Sequence, residues 1–440
     1  MTGSYWNAAA ETATPEVVRE LHFRKLKAQI AYLWNFSPFY REKLEHADLV
    51  PNRLRSLDDL SLFPFTEKHE LRESQLAEPP LGRHRACPAD AVRRIYSTSG
   101  TTGRPTYIGL TAQDINGWKE AALRAFWTAG LRPGAIVPIV VSPFVVAASY
   151  ADAFETIGTC IPVGVNMTDR LIDAFRFAKA DSLLCTSSYP LHFAAALIQR
   201  GIDPRTLGLK RIFAGGEPGA SIPSVRKQIE DCFDCRILEV SGNGDYSGMA
   251  WAECEHRRGM HFVAQGLIHP ELIDPESGNS IDIEAGAQGE LVCTSLDREC
   301  IPLLRFRTRD HVIVTQTDCA CGRTGFGIRI IGRTDDMLII RGVNVYPSAV
   351  RDVIASFSPE TNGMMEIQLS AAPPQGWEPP LQIKVETTGQ NDVENVRLKA
   401  AIETSLRDKL IFRAEITLVP VGTLPRYEYK AKLVKKCYEE

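Results

Sequence analysis

The run Arg211-Ile212-Phe213-Ala214-Gly215-Gly216-Glu217-Pro218 decides how this chain is to be read. A short apolar stretch stops on two glycines, an acid and a proline, as a buried strand does at a tight turn. Its neighbours repeat the pattern. Ile136-Val137-Pro138-Ile139-Val140-Val141, Ser182-Leu183-Leu184-Cys185 and Arg236-Ile237-Leu238-Glu239-Val240 are strand-like, and helical patterns at 169–178 and 224–231 lie between them. Short strands alternating with helices predict an α/β domain with a largely parallel sheet, which presents ligands at its carboxyl edge. Ala214, Gly215, Gly216, Glu217 and Pro218 fall at such an edge.

On the N-terminal side, Val17, Val18, Leu21, Leu26, Ile30 and Leu33 recur at helical spacing, and Pro38 separates them from a second short helix at 39–47. On the C-terminal side, 262–331 is β-rich, with Gly289-Glu290-Leu291-Val292-Cys293-Thr294 and His311-Val312-Ile313-Val314-Thr315 as short strands. Beyond 334 the composition changes. Helices at 348–357 and 393–410 and strands at 364–370, 381–387 and 415–419 form a separate αββαβ pattern, interrupted by a loop at 371–380 with four prolines. We expect a large multi-subdomain α/β domain over 1–333 with a β-rich segment, and a small mobile α+β domain over 334–440.

The bulk composition narrows the function classes. A 440-residue chain is too long for one core. Its 44% hydrophobic and 24% charged residues are those of a globular protein. The net charge of −4, with both signs mixed along the length, offers no basic face for nucleic acid. The first 14 residues have neither a basic nor an apolar targeting region. No run reaches the ~18 apolar residues of a membrane span, so a cytoplasmic protein is expected. Eleven cysteines there should be reduced thiols, core residues or metal ligands.

The sharpest chemical signal is Tyr96-Ser97-Thr98-Ser99-Gly100-Thr101-Thr102-Gly103, followed by Arg104. Hydroxyls bond phosphate oxygens, and glycines let backbone N–H groups approach a triphosphate. The Gly-Lys-Ser/Thr ending of a Walker loop is missing, and an ordinary Ser/Thr/Gly turn has the same composition. Four further stretches follow in order: 214–218, Leu304-Arg305-Phe306-Arg307-Thr308-Arg309-Asp310, 331–337 with 341–347, and Leu424-Pro425-Arg426-Tyr427-Glu428-Tyr429-Lys430-Ala431-Lys432.

Together these motifs resemble the adenylate-forming acyl-CoA ligase superfamily, and within it the phenylacetate-CoA ligase group. Ser37-Pro38-Phe39-Tyr40-Arg41, Phe63-Pro64-Phe65-Thr66-Glu67-Lys68 and Cys185-Thr186-Ser187-Ser188-Tyr189 extend the likeness over nearly the whole chain. The resemblance implies ATP- and Mg²⁺-dependent conversion of a small, aromatic in the first instance, carboxylic acid to an acyl-adenylate. Rotation of the small domain then brings in coenzyme A. It implies a homodimer too.

Carried over by motif, Ser99, Gly100, Thr101, Thr102 and Gly103 would hold the β- and γ-phosphates. Gly216, Glu217 and Pro218 would line the adenine, with Ser241, Gly242 and Asn243 nearby. Asp310 would take the ribose hydroxyls, and Arg333 the ribose and α-phosphate. Lys430 would be the catalytic lysine of adenylation, its alternative being a solvated basic tail with Lys432, Lys435 and Lys436. Asp335 would be the hinge, or else a capping aspartate, and Gly342 would border the pantetheine tunnel.

The chain departs from the pattern in places. Asp245 stands where the group has its magnesium-binding glutamate, Ser241 where an aromatic ring stacks on adenine, and Arg309 where a glycine precedes Asp310. Ser142–Tyr150 lacks the glycines of the usual acyl pocket, which makes Phe144, Ala147 and Tyr150, with Ala214 and Gly215, pocket candidates, or a core strand end. These changes leave open an acceptor other than coenzyme A, namely a carrier-protein thiol or an amine, and a non-carboxylate substrate. Cys254, His261, Cys319 and Cys321 match a Cys…His…Cys-x-Cys set of the group and suit a structural Zn²⁺. Free cysteines in a turn are the alternative, and Cys300 or His256 could replace one ligand.

Overall fold

The computed structural model describes residues 3–98, 106–142, 149–217, 219–334, 336–340, 343–370, 380–389, 391–425 and 433–438. Helices are α1 (Ala8–Glu11), α2 (Pro15–Phe36), α3 (Pro38–His46), α4 (Lys68–Ala77), α5 (Ala112–Thr128), α6 (Ala151–Ile157), α7 (Thr168–Arg176), α8 (Tyr189–Gln199), α9 (Pro223–Phe233), α10 (Pro347–Ala355) and α11 (Asp392–Leu410). Strands of the first three hundred residues are β1 (Arg94–Ser97), β2 (Tyr107–Leu110), β3 (Ile136–Ile139), β4 (Thr159–Pro162), β5 (Ser182–Thr186), β6 (Arg211–Gly215), β7 (Arg236–Asn243), β8 (Ser247–Glu253), β9 (Met260–Phe262), β10 (Ile268–Ile273), β11 (Ser280–Ile281) and β12 (Gln288–Ser295). They continue as β13 (Phe306–Gln316), β14 (Gly327–Arg333), β15 (Leu338–Ile340), β16 (Val343–Val345), β17 (Thr361–Leu369), β18 (Leu381–Thr387), β19 (Ala414–Pro420) and β20 (Val434–Lys436). No described helix is long and apolar enough to cross a membrane.

Two compact units emerge. The first comprises Met1–Cys185, Arg211–Gly216 and Leu238–Arg329, and the second Thr186–Lys210, Glu217–Ile237 and Ile330–Glu440. A twelve-stranded sheet in the order β11-β10-β12-β13-β14-β9-β8-β7-β6-β5-β3-β4 runs through the first. The parallel sheet expected from the strand–helix alternation is present where β3 pairs with β4 and β5. From β7 onward the neighbours β7–β8, β8–β9, β9–β14, β12–β13 and β10–β12 are antiparallel. The reason is connection length. Three residues join β7 to β8, enough for a hairpin but far short of the dozen or more that a parallel crossover needs.

Around this sheet, Phe126, Phe154, Phe213, Val240 and Met249 form one buried cluster, and Leu26, Ile30, Tyr40, Phe63 and Leu304 another under α2 and α3. α5 starts with a capping box between Thr111 and Asp114 and buries most of its length, as a helix hydrophobic on several faces must.

The second unit has its own core. Its sheet runs β19-β18-β17-β20, with β17–β18 antiparallel and the outer pairs parallel. Val350, Ile354, Ile367, Ile383, Val385, Ile402 and Leu406 pack between that sheet and the helices α10 and α11. β15 and β16 form a separate hairpin.

Candidate nucleotide site and metal centre

β1 and β2 form a hairpin in the register Arg94↔Leu110 to Ser97↔Tyr107. Its last rungs are Thr98 N–H donating to the Thr106 carbonyl at 2.9 Å and the two threonine hydroxyls 3.0 Å apart. These rungs are the stem of the hydroxyl- and glycine-rich loop. Ser99, Gly100, Thr101, Thr102 and Gly103 themselves lie outside the described residues, as do Phe144, Ala147, Pro218, Asp335, Gly342 and Lys430.

Asp245 sits in the β7–β8 turn, with its carboxylate only 5% exposed and Oδ2 2.6 Å from Lys68 Nζ. Its N–H donates to Asn243 Oδ1 at 2.9 Å, so Asn243 shapes the turn that aims it. Gly242 serves the same hairpin. A Cβ there would lie 2.0 Å from the Gly248 carbonyl oxygen, closer than any side chain tolerates. Ser241 pairs across the hairpin with Trp251. The Asp245 carbonyl accepts a bond from Arg298 Nη1. Arg298 is buried over the Trp118 ring, 5.2 Å from its centroid, and its backbone is gripped on both sides by the Gln29 amide. Its Nε and Nη2 have no hydrogen-bond partner among the described residues, and burial lowers the guanidinium's pKa. A cavity of about 30 Å³ lined by Asp114, Trp118, Tyr246, Ser247, Ile268 and Arg298 adjoins them, enough room for a bridging water.

Asp310 lies on β13, where its N–H donates to Thr308 Oγ1 at 3.1 Å. Arg309 before it has φ of 66° and is ion-paired to Glu67. Lys68, Glu67 and Arg298 carry no role legible in the sequence. Lys68 lies 177 residues from its partner, and Arg298 between Asp297 and Glu299 reads as part of a solvated charge cluster.

Of the pocket candidates, Tyr150 donates its hydroxyl to the Gly248 carbonyl at 2.5 Å and sets its ring edge-on to Phe126, 5.7 Å between centroids. Phe126 in turn meets Phe154 and Phe213. Ala214 is fully buried, and a Cβ on Gly215 would lie 2.4 Å from the Val240 carbonyl oxygen, so close strand packing demands that glycine. Gly216 adopts φ of 82°, the left-handed turn that ends the strand.

In the second unit, Glu217 is pinned by the two serines that follow β5. Its Oε1 accepts from the Ser188 N–H and hydroxyl at 2.8 and 2.5 Å, and its carbonyl accepts from Ser187 Oγ at 2.8 Å. The carboxylate is thus occupied in fixing the turn. Arg333 Nε lies 3.8 Å from Asp336 Oδ2, and Ser348 Oγ donates to the Ile331 carbonyl.

The ligand atoms of Cys254, His261, Cys319 and Cys321 all lie within 4.8 Å of one another. Tetrahedral zinc with bonds of about 2.3 Å to sulfur and 2.0 Å to nitrogen needs S···S near ~3.8 Å and S···N near ~3.5 Å. Cys254 and Cys319 are 3.8 Å apart, and Cys321 Sγ is 3.5 Å from His261 Nε2. His261 Nδ1 donates to the Gly325 carbonyl at 2.9 Å, which leaves Nε2 free to ligate. A hydrogen bond from Cys254 pulls the Cys321 thiol pKa down. The donor set and spacing fit zinc. The set is the one with Cys254 and His261, not Cys300 or His256.

Known proteins resemble this chain over nearly its whole length. The family of AMP-binding enzyme C-terminal domains matches residues 342–436. The phenylacetate-coenzyme A ligase of Thermus thermophilus is 32% identical over 437 residues, 95% of this chain and 96% of the relative. That of Pseudomonas putida is 30% identical over 427 residues, 96% and 94% of the two chains. The crystal structure of 2-hydroxyisobutyryl-CoA ligase in the postadenylation state with R3-HIB-AMP superposes with a TM-score of 0.92 at 28% identity, covering 100% of this chain and 93% of that one. Likeness of this extent places the chain in the phenylacetate-coenzyme A ligase family, adenylate-forming acid–CoA ligases that release AMP.

Proposed function

We propose that this ligase activates a small carboxylic acid, aromatic in the first instance, and that the loop carried by the β1–β2 hairpin, Asp245, Asp310 and Lys430 form its adenylation site. One observation carries the reading: the threonine-closed stem under Ser99–Gly103 and the carboxylates of Asp245 and Asp310 belong to the same compact unit. In the first half-reaction the acid's carboxylate oxygen attacks the α-phosphorus of ATP and pyrophosphate leaves. In the second, the coenzyme A thiolate attacks the acyl carbon and AMP leaves. Both steps depend on positioning and on neutralised charge.

Ser99 to Gly103 would bind the β- and γ-phosphates, Gly216, Glu217 and Pro218 would lie against adenine, and Asp310 and Arg333 would hold the ribose. Lys430 would bridge the acid's carboxylate and the α-phosphate. Mg²⁺, when bound, supplies charge neutralisation at the phosphates, and Asp245 would be the carboxylate that holds it. A large domain over 1–333 and a small one over 334–440, turning at Asp335, would exchange the two half-reactions, with Gly342 beside the pantetheine. Tyr150, fixed across to Gly248, would close the acyl pocket. Zn²⁺ on Cys254, His261, Cys319 and Cys321 would be structural. The eleven cysteines, none of them in a disulfide, suit a cytoplasmic setting.

The test is pyrophosphate release with a panel of aryl and short branched acids, with and without coenzyme A. Release that requires an acid, followed by thioester only when coenzyme A is present, is expected. Thioester formation absent while a carrier protein or amine is acylated would assign another acceptor. Lys430→Ala should abolish the first half-reaction.

A further inference from the structure

Arg309 is strained. Its φ of 66° lies in the left-handed region, where a residue with a Cβ is held only by its surroundings. Those surroundings are ionic. Arg309 Nη2 is 2.6 Å from Glu67 Oε2, and Nη1 is 3.6 Å from Glu290 Oε2. Arg307 joins the same two acids, 2.8 Å from Glu290 and 3.6 Å from Glu67. Two arginines and two glutamates of alternating charge thus surround the backbone that carries Asp310.

Glu67 is also the N-cap of α4. It and Glu70 form a reciprocal capping box, with Glu67 N–H donating to Glu70 Oε2 at 2.7 Å. The helix therefore fixes Glu67, and Glu67 fixes Arg309. The next residue, Lys68, reaches Asp245. Two consecutive residues at one helix N-terminus hold one carboxylate directly and the strained approach to the other.

We propose that Arg309 is a positioning residue: its pair with Glu67 locks the left-handed backbone before Asp310 and so presents that carboxylate to the nucleotide's ribose. The inference rests on the reading of Asp310 as the ribose ligand. The pair is half-buried and belongs to a four-charge network, so nucleotide affinity, which a purely stabilising pair would not move, is what separates the two roles.

The test uses the full chain as Arg309→Gly, Arg309→Lys, Glu67→Gln, Arg309→Gly with Glu67→Gln, and Asp310→Asn. Glycine adopts the required φ freely, so Arg309→Gly folds and keeps or raises the melting temperature. It should raise KM for ATP and the Kd for AMP by roughly threefold to tenfold, with KM for the acid unmoved. Glu67→Gln should act alike, the double variant should be no worse than either single one, and lysine should restore part of the loss. Asp310→Asn calibrates the assay. Unchanged nucleotide affinity in Asp310→Asn overturns the ribose reading and the proposal with it. Impaired affinity there, with Arg309→Gly and Glu67→Gln at wild-type values or strictly additive, overturns the positioning role alone.

Discussion

Lys68 and Asp245 show how one residue at a helix start reaches into a site. Asp245 is nearly buried, and Lys68 Nζ at 2.6 Å is its cation. Removing the lysine leaves a desolvated carboxylate without its charge partner. Because Lys68 itself is 28% exposed, solvent screens part of the loss. We expect Lys68→Met to lower stability by about 1–2 kcal/mol in urea melts. Adding Asp245→Asn should return most of that stability while pyrophosphate release stays low. A double variant as unstable as the sum of the singles would refute the pairing. Tyr150 makes a second residue-scale case. Tyr150→Phe loses one hydrogen bond, worth about 1 kcal/mol, whereas Tyr150→Ala opens space beside Phe126. The preference for longer over shorter acids, read as a ratio of kcat/KM, should then rise about tenfold; an unchanged ratio would remove Tyr150 from the pocket. The polar motifs of this site are contiguous and so could be read from the chain. Lys68 and Arg298 could not, because their meaning lies in partners far along the sequence and in burial, neither of which a local pattern records.

Among elements, α2 is the one whose periodicity was plain and whose attachment was not. Leu26, Ile30 and Leu33 marked its buried face and are fully buried. His22 on the same helix meets His269 of β10, 247 residues away, with Nδ1 atoms 3.1 Å apart. The Gly266 N–H donates to His22 Nε2 at 3.0 Å, so the His22 proton sits on Nδ1 and is donated to His269. Neither ring can take a further proton without breaking this chain of bonds. Burial first, then His269 and Lys25, push His22 down to about 3. Burial first, then Arg19 and Arg305, push His269 down to about 4. The unfolded chain binds these protons near pH ~6.5. The folded chain therefore holds fewer protons through the interval below that value, and stability is lost as pH falls from about 6.5 towards 4. Replacing both histidines with glutamine should flatten this part of the urea-midpoint profile. An equally steep profile in the variant would assign the acid loss to other groups.

Over the whole molecule, one buried core is built of residues from Leu338 onward. That α8 and α9 group with it by contacts was not legible, since grouping by contact follows three-dimensional proximity rather than composition. Two cores predict that heating does not give one all-or-none transition. The proposed zinc site offers a way to tell the transitions apart, because all four of its candidate ligands lie in the first unit. The N-terminal arm is fastened to the same turn. Tyr5 donates to the Cys321 carbonyl at 2.9 Å, the Arg323–Glu11 pair is buried at 2.8 Å, and Thr324 donates to the Ala13 carbonyl. The arm then runs to α5, where Trp6 bonds Glu120 and packs edge-on against Trp127. Chelation should bring the first unit's calorimetric transition down by several degrees and leave the other in place. It should also redden tryptophan emission as Trp6 leaves Trp127, and open residues 3–14 to protease. Restoring Zn²⁺ should reverse all three. Purified protein free of metal, or a chelator that moves both transitions together, would count against a zinc-held arm.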